Sequence, residues 1–337
     1  MKKLLSGIAA LVVSISVAYA QAPTKLLVYA SLEPDQLSTI KSAFEAENPS
    51  VIIDWVRAPI GTITARVLAE KSNPRADVVY GLGASNLIQL DKEGLLMKYV
   101  PPEAANLGAK FRSKTNTWFA YDAFLAALCY NTIEGDKLGL RKPTSIKDLL
   151  KPEFKGRIQM PEPTISGTGF MIVASILDLY GEQKGWEYLD ALDNNIVKYL
   201  PSGSTPCTQA ANGEYLMGWS VDIRAGRLIA DGAPIEFIVP SEGVFWDLEG
   251  AAIMAGTKNV EAAKTLYNWI YSKNAMKIYG KDYAILGRAD VDSNSKHHPH
   301  GKNIAKFMVD SNLESIANNR VAILKEWEKR YGARTKK

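Results

Sequence analysis

Along most of the chain, short apolar runs alternate with segments whose hydrophobic residues return every third or fourth position. The runs suit buried strands and the longer spacing suits amphipathic helices, so the pattern predicts an α/β protein with parallel strands. Strands are expected at residues 25–30, 51–56 and 77–80, with helices at 34–47, 61–71 and 85–93. In the first helix Leu37, Ile40, Lys41 and Phe44 keep helical spacing, and Pro34 stands where a first-turn proline is tolerated. Residues 118–130 form an almost unbroken apolar strand, interrupted by one acid, Asp122.

A second series follows, with a helix opening at 144–148, a strand at 157–160, helices at 169–180 and 186–192, and a strand reached through 213–221. A helix at 224–231 and strands at 236–240 and 247–255 complete it. Helices return over 260–279, where Ala262, Ala263, Leu266, Trp269, Ile270 and Ile278 make the inward stripe. This order suggests two lobes, each a mixed sheet flanked by helices. Lobe one takes residues 24–125 plus 252–337 and lobe two residues 128–250. With no low-complexity linker in the chain, crossing strands near 125–129 and 249–252 are expected to form the hinge.

The 337 residues are 47% hydrophobic and 23% charged, which describes a fully folded protein large enough for two cores. Lys2 and Lys3, the apolar stretch from Leu4 to Val17 and then Ala18-Tyr19-Ala20 have the order of a secretory signal peptide, with cleavage expected after Ala20. No cysteine follows that point to carry a lipid, so a soluble periplasmic protein is expected. Loss of the two signal lysines brings the formal charge from +4 to +2, and no later stretch concentrates basic residues with aromatics, which argues against a nucleic-acid partner. Export also puts Cys129 and Cys207 where disulfides persist, and a bridge closing about eighty residues is expected.

Candidate chemistry comes from four places where a strand ends in a Ser- or Gly-containing segment and a helix begins. They are Ala30-Ser31, Tyr80-Gly81-Leu82-Gly83-Ala84-Ser85, Ile165-Ser166-Gly167-Thr168-Gly169 and Gly203-Ser204-Thr205-Pro206. A helix start carries unpaired N–H donors and roughly half a positive charge, so several converging on one cleft make an anion site without a metal. Any one alone reads equally well as an ordinary N-cap.

Ala76-Asp77-Val78-Val79-Tyr80-Gly81-Leu82, Lys142-Pro143-Thr144-Ser145, Pro152-Glu153-Phe154-Lys155-Gly156, Ser166-Gly167-Thr168-Gly169-Phe170, Gly185-Trp186, Ser202-Gly203-Ser204 with Pro206-Cys207, and Trp246-Asp247-Leu248-Glu249 carry a resemblance. With them the chain resembles a periplasmic solute-binding protein of an ABC importer, most closely the 2-aminoethylphosphonate-binding proteins. The resemblance implies a type II two-lobed fold that closes over a small zwitterionic organophosphonate and delivers it to an ABC permease. It also implies a monomer without cofactor. Ser31, Ser85, Ser166, Gly167, Thr168 and Ser204 are the candidates for the phosphonate oxygens. Asp222, Asp247, Glu249, Asp122 and Glu33 are the candidates for the ammonium. Tyr80, Trp219 and Trp246 are candidate cleft walls, although such aromatics are more often core. Asp222 reads equally as a helix cap, Glu33 as a solvated first-turn acid, and Asp122 as a partner of hinge backbone.

Rival readings find less support. Ferric-ion carriers of the same superfamily use paired tyrosines, and 213–219 offers no adjacent pair. A polyamine carrier has its acids here, but hydroxyl-rich helix entries would serve no purpose for a cation. The only histidines, His297, His298 and His300, read as a solvated loop, so neither a metal site nor a Ser/His/Asp enzyme is expected. No phosphate-binding Gly-Lys-Ser/Thr loop and no His-Glu-x-x-His stand in the chain.

Overall fold

The computed structural model describes residues 22–335 apart from Lys296, so the expected signal peptide lies outside the described residues. Lobe one opens with β1 (Thr24–Ala30), α1 (Pro34–Glu47), β2 (Val51–Arg57), α2 (Ile60–Ala69), β3 (Val78–Gly83) and α3 (Ala84–Lys92). The long strand β4 (Phe119–Asn131) leads to α4 (Thr132–Leu138), β5 (Ile158–Pro161), α5 (Gly167–Tyr180), α6 (Glu182–Asp193) and β6 (Ile196–Leu200). There follow α7 (Thr205–Ala211), β7 (Met217–Val221), α8 (Asp222–Ala230), β8 (Ile235–Ile238) and β9 (Trp246–Ile253). The chain ends with α9 (Val260–Ile270), α10 (Lys273–Tyr279), β10 (Ile285–Leu286) and α11 (Leu313–Tyr331).

The strands run in the order β2-β1-β3-β9-β4-β7-β5-β6, with β8 and β10 also paired to β4. Neighbours in β2-β1-β3 and in β7-β5-β6 are parallel, and the joins through β9 and β4 are antiparallel. Strands covered on both faces should be apolar without alternation, and every residue of β3 and of the wholly antiparallel β4 is buried. The price of that apolar run is Asp122, fully buried in β4 with neither carboxylate oxygen hydrogen-bonded.

β4 belongs to both sheets. Phe119–Leu125 pairs with β9, and Ala126–Asn131 pairs with β7 and β8, so the neighbours change between Leu125 and Ala126. β9 stays with β3 and the first half of β4 along its length, Trp246 opposite Leu125. We therefore place the return crossing just before β9, where the Ala126 N–H donates to the Phe245 carbonyl. The chain from β10 to α11 is shared rather than confined to lobe one. The carbonyl of His297 abuts Gly226 of α8, and α11 packs on α3 while its last residue, Tyr331, reaches Asp190 of α6 and Arg334 just beyond it reaches Asp193.

Cys129 and Cys207 are bonded, their Cα atoms 5.5 Å apart, fixing α7 to the lobe-two half of β4. Closing 78 residues restricts the unfolded chain by about 4 kcal/mol in the loop-entropy account. Reduction, or the pair Cys129→Ala and Cys207→Ala, is expected to lower the melting temperature by roughly 5 to 10 °C. Calorimetric melts with and without reductant check this.

Candidate functional site

The carboxyl ends of β1 and β2 turn into Ser31 and Arg57 on one wall of a cleft, and the starts of α5 and α7 form the other. On that second wall the Ser166 hydroxyl caps α5 by accepting from the Gly169 N–H at 3.3 Å. Gly203 is packed so closely beside α5 that a Cβ there would lie 2.6 Å from Thr168 Oγ1 and 3.2 Å from Ser166 Oγ. The α5 entry and the 202–204 turn thus form one polar surface, and the α5 helix presents the positive end of its dipole at it. The floor is made by Phe124, Glu249 and Tyr283, the Tyr283 hydroxyl donating to Glu249 at 2.6 Å.

The two walls touch. The Gly61 N–H donates to the Ile165 carbonyl at 2.9 Å, and Gly167 faces Ile60 with no room for a Cβ. The Ser204 hydroxyl donates to Glu33, whose carboxylate also takes Arg224 at 3.2 Å and Arg57 at 3.4 Å. Glu33 and Gln36 form a capping box at the start of α1, so this carboxylate is held by helix, hydroxyl and two guanidinium groups. Further along, Arg227 of α8 bridges to Asp282 at 2.7 Å and Asp35 at 2.8 Å.

Of the residues expected to meet oxyanion oxygens, the structure brings Ser31, Ser166, Gly167, Thr168 and Ser204 to this cleft. Ser85 is elsewhere. It is buried beneath α11, where Arg320 Nη1 reaches its hydroxyl at 3.5 Å, and the start of α3 is occupied by the Asp247 carboxylate, which a Cβ on Gly83 would approach to 2.8 Å. Among the acids, Glu33 and Glu249 line the cleft. Asp247 lies beside the start of α3, and Asp222, at the start of α8, accepts from the Leu125 N–H at 3.0 Å where β4 changes partners. Tyr80, Trp219 and Trp246 are core. Tyr80 shares a hydrogen bond with Tyr279, Trp219 stacks on Phe245, and Trp246 Nε1 donates to Val309 at 2.7 Å. His298 is not in a solvated loop: Phe237 covers it and its Nε2 lies 3.7 Å from Asp222.

Arg57, Gln36, Phe124 and Tyr283 of the lining, and Arg224 on Glu33, were not singled out by the sequence. One signal was available for Arg57, because ligands of open parallel sheets gather at strand carboxyl ends and Arg57 ends β2. Arg224 and Tyr283 carry no such mark. Among the described residues no group of His, Cys, Asp and Glu side chains could hold a metal, and no helix is long and apolar enough to cross a membrane.

A model of the bacterial extracellular solute-binding proteins matches residues 39–290, three quarters of the chain. The chain belongs to that family. A Haemophilus influenzae protein without an assigned function is 32% identical to this solute-binding protein over 267 residues, 78% of this chain and 77% of that one. A Salmonella typhimurium protein, provisionally named a 2-aminoethylphosphonate-binding periplasmic protein, is 26% identical over 74% of this chain and 73% of its own. Among solved structures, the periplasmic binding protein AfuA from Actinobacillus pleuropneumoniae, with exogenous fructose-6-phosphate bound, superposes with a TM-score of 0.85 at 29% identity. That match covers 91% of this chain and 98% of AfuA, and it makes the two-lobed architecture of this solute-binding protein plain.

Burial raises the carboxyls of Asp222, Asp247 and Glu249 to about 7 and that of Asp122 well above its usual range. Between about pH 4 and 7 the folded chain therefore keeps protons that the unfolded chain has released, and stability from these groups is lost as pH rises through that window. His298, lowered to about 4 by burial and then by His300, works in the opposite direction below its ordinary value. With more acids than histidines in play, the melting temperature is expected to fall by roughly 3 to 8 °C from pH 5.5 to 7.5, and Asp222→Asn should flatten the slope in calorimetric scans. A Cβ on Gly61 would lie 2.5 Å from the Thr164 carbonyl oxygen across the cleft. Gly61→Ala should leave the melting temperature within about 2 °C, yet weaken solute binding about tenfold or more by blocking closure, as titration calorimetry would read.

Proposed function

We propose that this chain is the periplasmic binding component of an ABC importer for a small organic solute bearing a phosphoryl group. One observation carries the reading: the α5 entry and the 202–204 turn present Ser166, Thr168 and Ser204 hydroxyls opposite Arg57, in a cleft where both lobes meet. Amide and hydroxyl donors with arginine hold a phosphoryl group in a defined geometry, and donors from two lobes make closure depend on the solute. Glu249 at the floor offers an acceptor to the remainder of the molecule, which therefore carries hydrogen-bond donors, while Glu33 holds Ser204, Arg57 and Arg224 in place. The protein acts as a carrier and not as an enzyme.

2-Aminoethylphosphonate suits both ends, its phosphonate at the donors and its ammonium over Glu249, beside which Asp122 and Asp222 have unpaired carboxylate oxygens. The distant Salmonella relative supports that choice. A sugar phosphate suits the same ends with hydroxyls in place of the amine, and the fructose-6-phosphate in AfuA favours it. Ferric ion suits neither, since the donors outnumber the acceptors at the cleft wall.

Titration calorimetry of the mature protein against 2-aminoethylphosphonate, fructose 6-phosphate, inorganic phosphate, putrescine and ferric citrate tests the reading. At least one of the two organic phosphoryl compounds is expected to bind about 100-fold more tightly than inorganic phosphate, a difference of ~2.7 kcal/mol from the tail contacts. Putrescine and ferric citrate should give no heat. Tight binding of either of these two, with none of the phosphoryl compounds, would overturn the assignment.

A further inference from the structure

Arg320 is the cation for which the fold has no ordinary explanation. It lies on α11 with 2% of its surface exposed, yet no carboxylate is within 4 Å of its guanidinium among the described residues. A buried arginine without an ion pair is costly, so its surroundings must compensate. Three groups do so. The guanidinium carbon stands 4.0 Å from the centre of the Phe170 ring, Nη1 reaches the Ser85 hydroxyl at 3.5 Å, and the Asp247 carboxylate beside the start of α3 favours the cation. Burial nonetheless pushes the guanidinium down to about 10.

The three partners come from different parts of the molecule. Ser85 and Asp247 belong to lobe one, whereas Phe170 lies in the first turn of α5 in lobe two, where its N–H donates to the Ser166 carbonyl. That turn carries Gly167 and Thr168 on its cleft side. Around the guanidinium, α11 packs against α3 and α5 together, and Ile316 joins Phe170 and Ala174 in a small apolar cluster set apart from the main core. The main core therefore does not fix the Phe170 side of α5, and the contact with α11 does.

We propose that Arg320 is a positioning residue for solute binding: through Phe170 it holds the first turn of α5, and with it the phosphoryl-binding surface, in register with lobe one. This rests on the reading of the cleft given above. The cation-π contact and the Ser85 and Asp247 side of the guanidinium act as one link, so removing the positive charge releases α5 from α3 without touching a group that lines the cleft.

The test begins with a measurement that needs no solute. Amide hydrogen exchange at residues 167–170 is expected to quicken about tenfold in Arg320→Met, which keeps length but loses charge, and to return to within about threefold of wild type in Arg320→Lys. Exchange in β1 should be the same in all three proteins, which separates a local effect from global destabilisation. Unchanged exchange at 167–170 in Arg320→Met, or equal acceleration in the Lys and Met variants, overturns the proposal. If Arg320→Met does not fold, Phe170→Leu in the wild-type background takes its place, with the same acceleration expected and its absence equally decisive. Affinity for fructose 6-phosphate or 2-aminoethylphosphonate, whichever the wild-type protein binds, gives the second readout. Arg320→Met and Phe170→Leu should each weaken binding, and the double variant should be no weaker than the worse single one. Losses that multiply would show that Arg320 does not act through Phe170. A wild-type protein that binds neither compound refutes the proposed solute class but leaves the exchange experiment as the judge of Arg320.

Discussion

The rest of the structure depends on β4, one thirteen-residue strand that is buried from end to end and serves two sheets. Its first half takes β9 and its second half takes β7 and β8, so each lobe completes its sheet with part of the same strand. A backbone shared this way must keep its hydrogen bonds on both sides of the neighbour change, because an unpaired buried N–H or C=O is expensive. The joint is therefore held by added bonds: the Ala126 N–H to Phe245, the Leu125 N–H to Asp222, and the disulfide at Cys129.

Placing the seam at the base of the cleft explains why so many acids are buried there. Asp122, Asp222 and Glu249 surround the point where β4 changes partners, and each one's affinity for protons is raised first by burial and then by neighbouring carboxylates. Removing three carboxylates from water with few cations nearby costs stability that a hydrocarbon core would not. Asp222 offsets part of this by capping backbone groups, and Glu249 by accepting from Tyr283. The energetic cost is concentrated where β4 changes partners and where the cleft has its floor.

The four strand-to-helix junctions turned out to be unequal, and the difference is instructive. The α3 start has the Asp247 carboxylate against it, the α1 start is capped by Glu33, and the α5 start only by the short Ser166 hydroxyl. A helix entry filled by the protein's own carboxylate has no capacity left for a solute anion, whereas one capped by a hydroxyl keeps N–H groups and dipole available. Counting junctions in a sequence cannot make this distinction, because the filling carboxylate of α3 comes from a residue more than 150 positions away.

Local pattern by itself determined the α/β class, nearly every strand and helix before residue 280, the apolar β4 with its odd acid, and the cysteine pair. The elements follow from spacing that neighbouring residues impose on one another, and the cysteine pair from the expected export of a chain with two cysteines. It also gave Ser31, Ser166, Gly167, Thr168 and Ser204 as a group, since helix entries have a readable signature. Tertiary structure alone decided that Ser85 is buried under Arg320 with Asp247 beside the start of α3, that Tyr80, Trp219 and Trp246 are core, and that His298 is buried against Phe237. It likewise brought Arg57 and Arg224 to one carboxylate and laid the polar helix α11, with its buried Arg320, across both lobes. These outcomes depend on which distant segment arrives to cover or pair a group, and burial of a charge is a property of that arrival, not of the residues on either side of it.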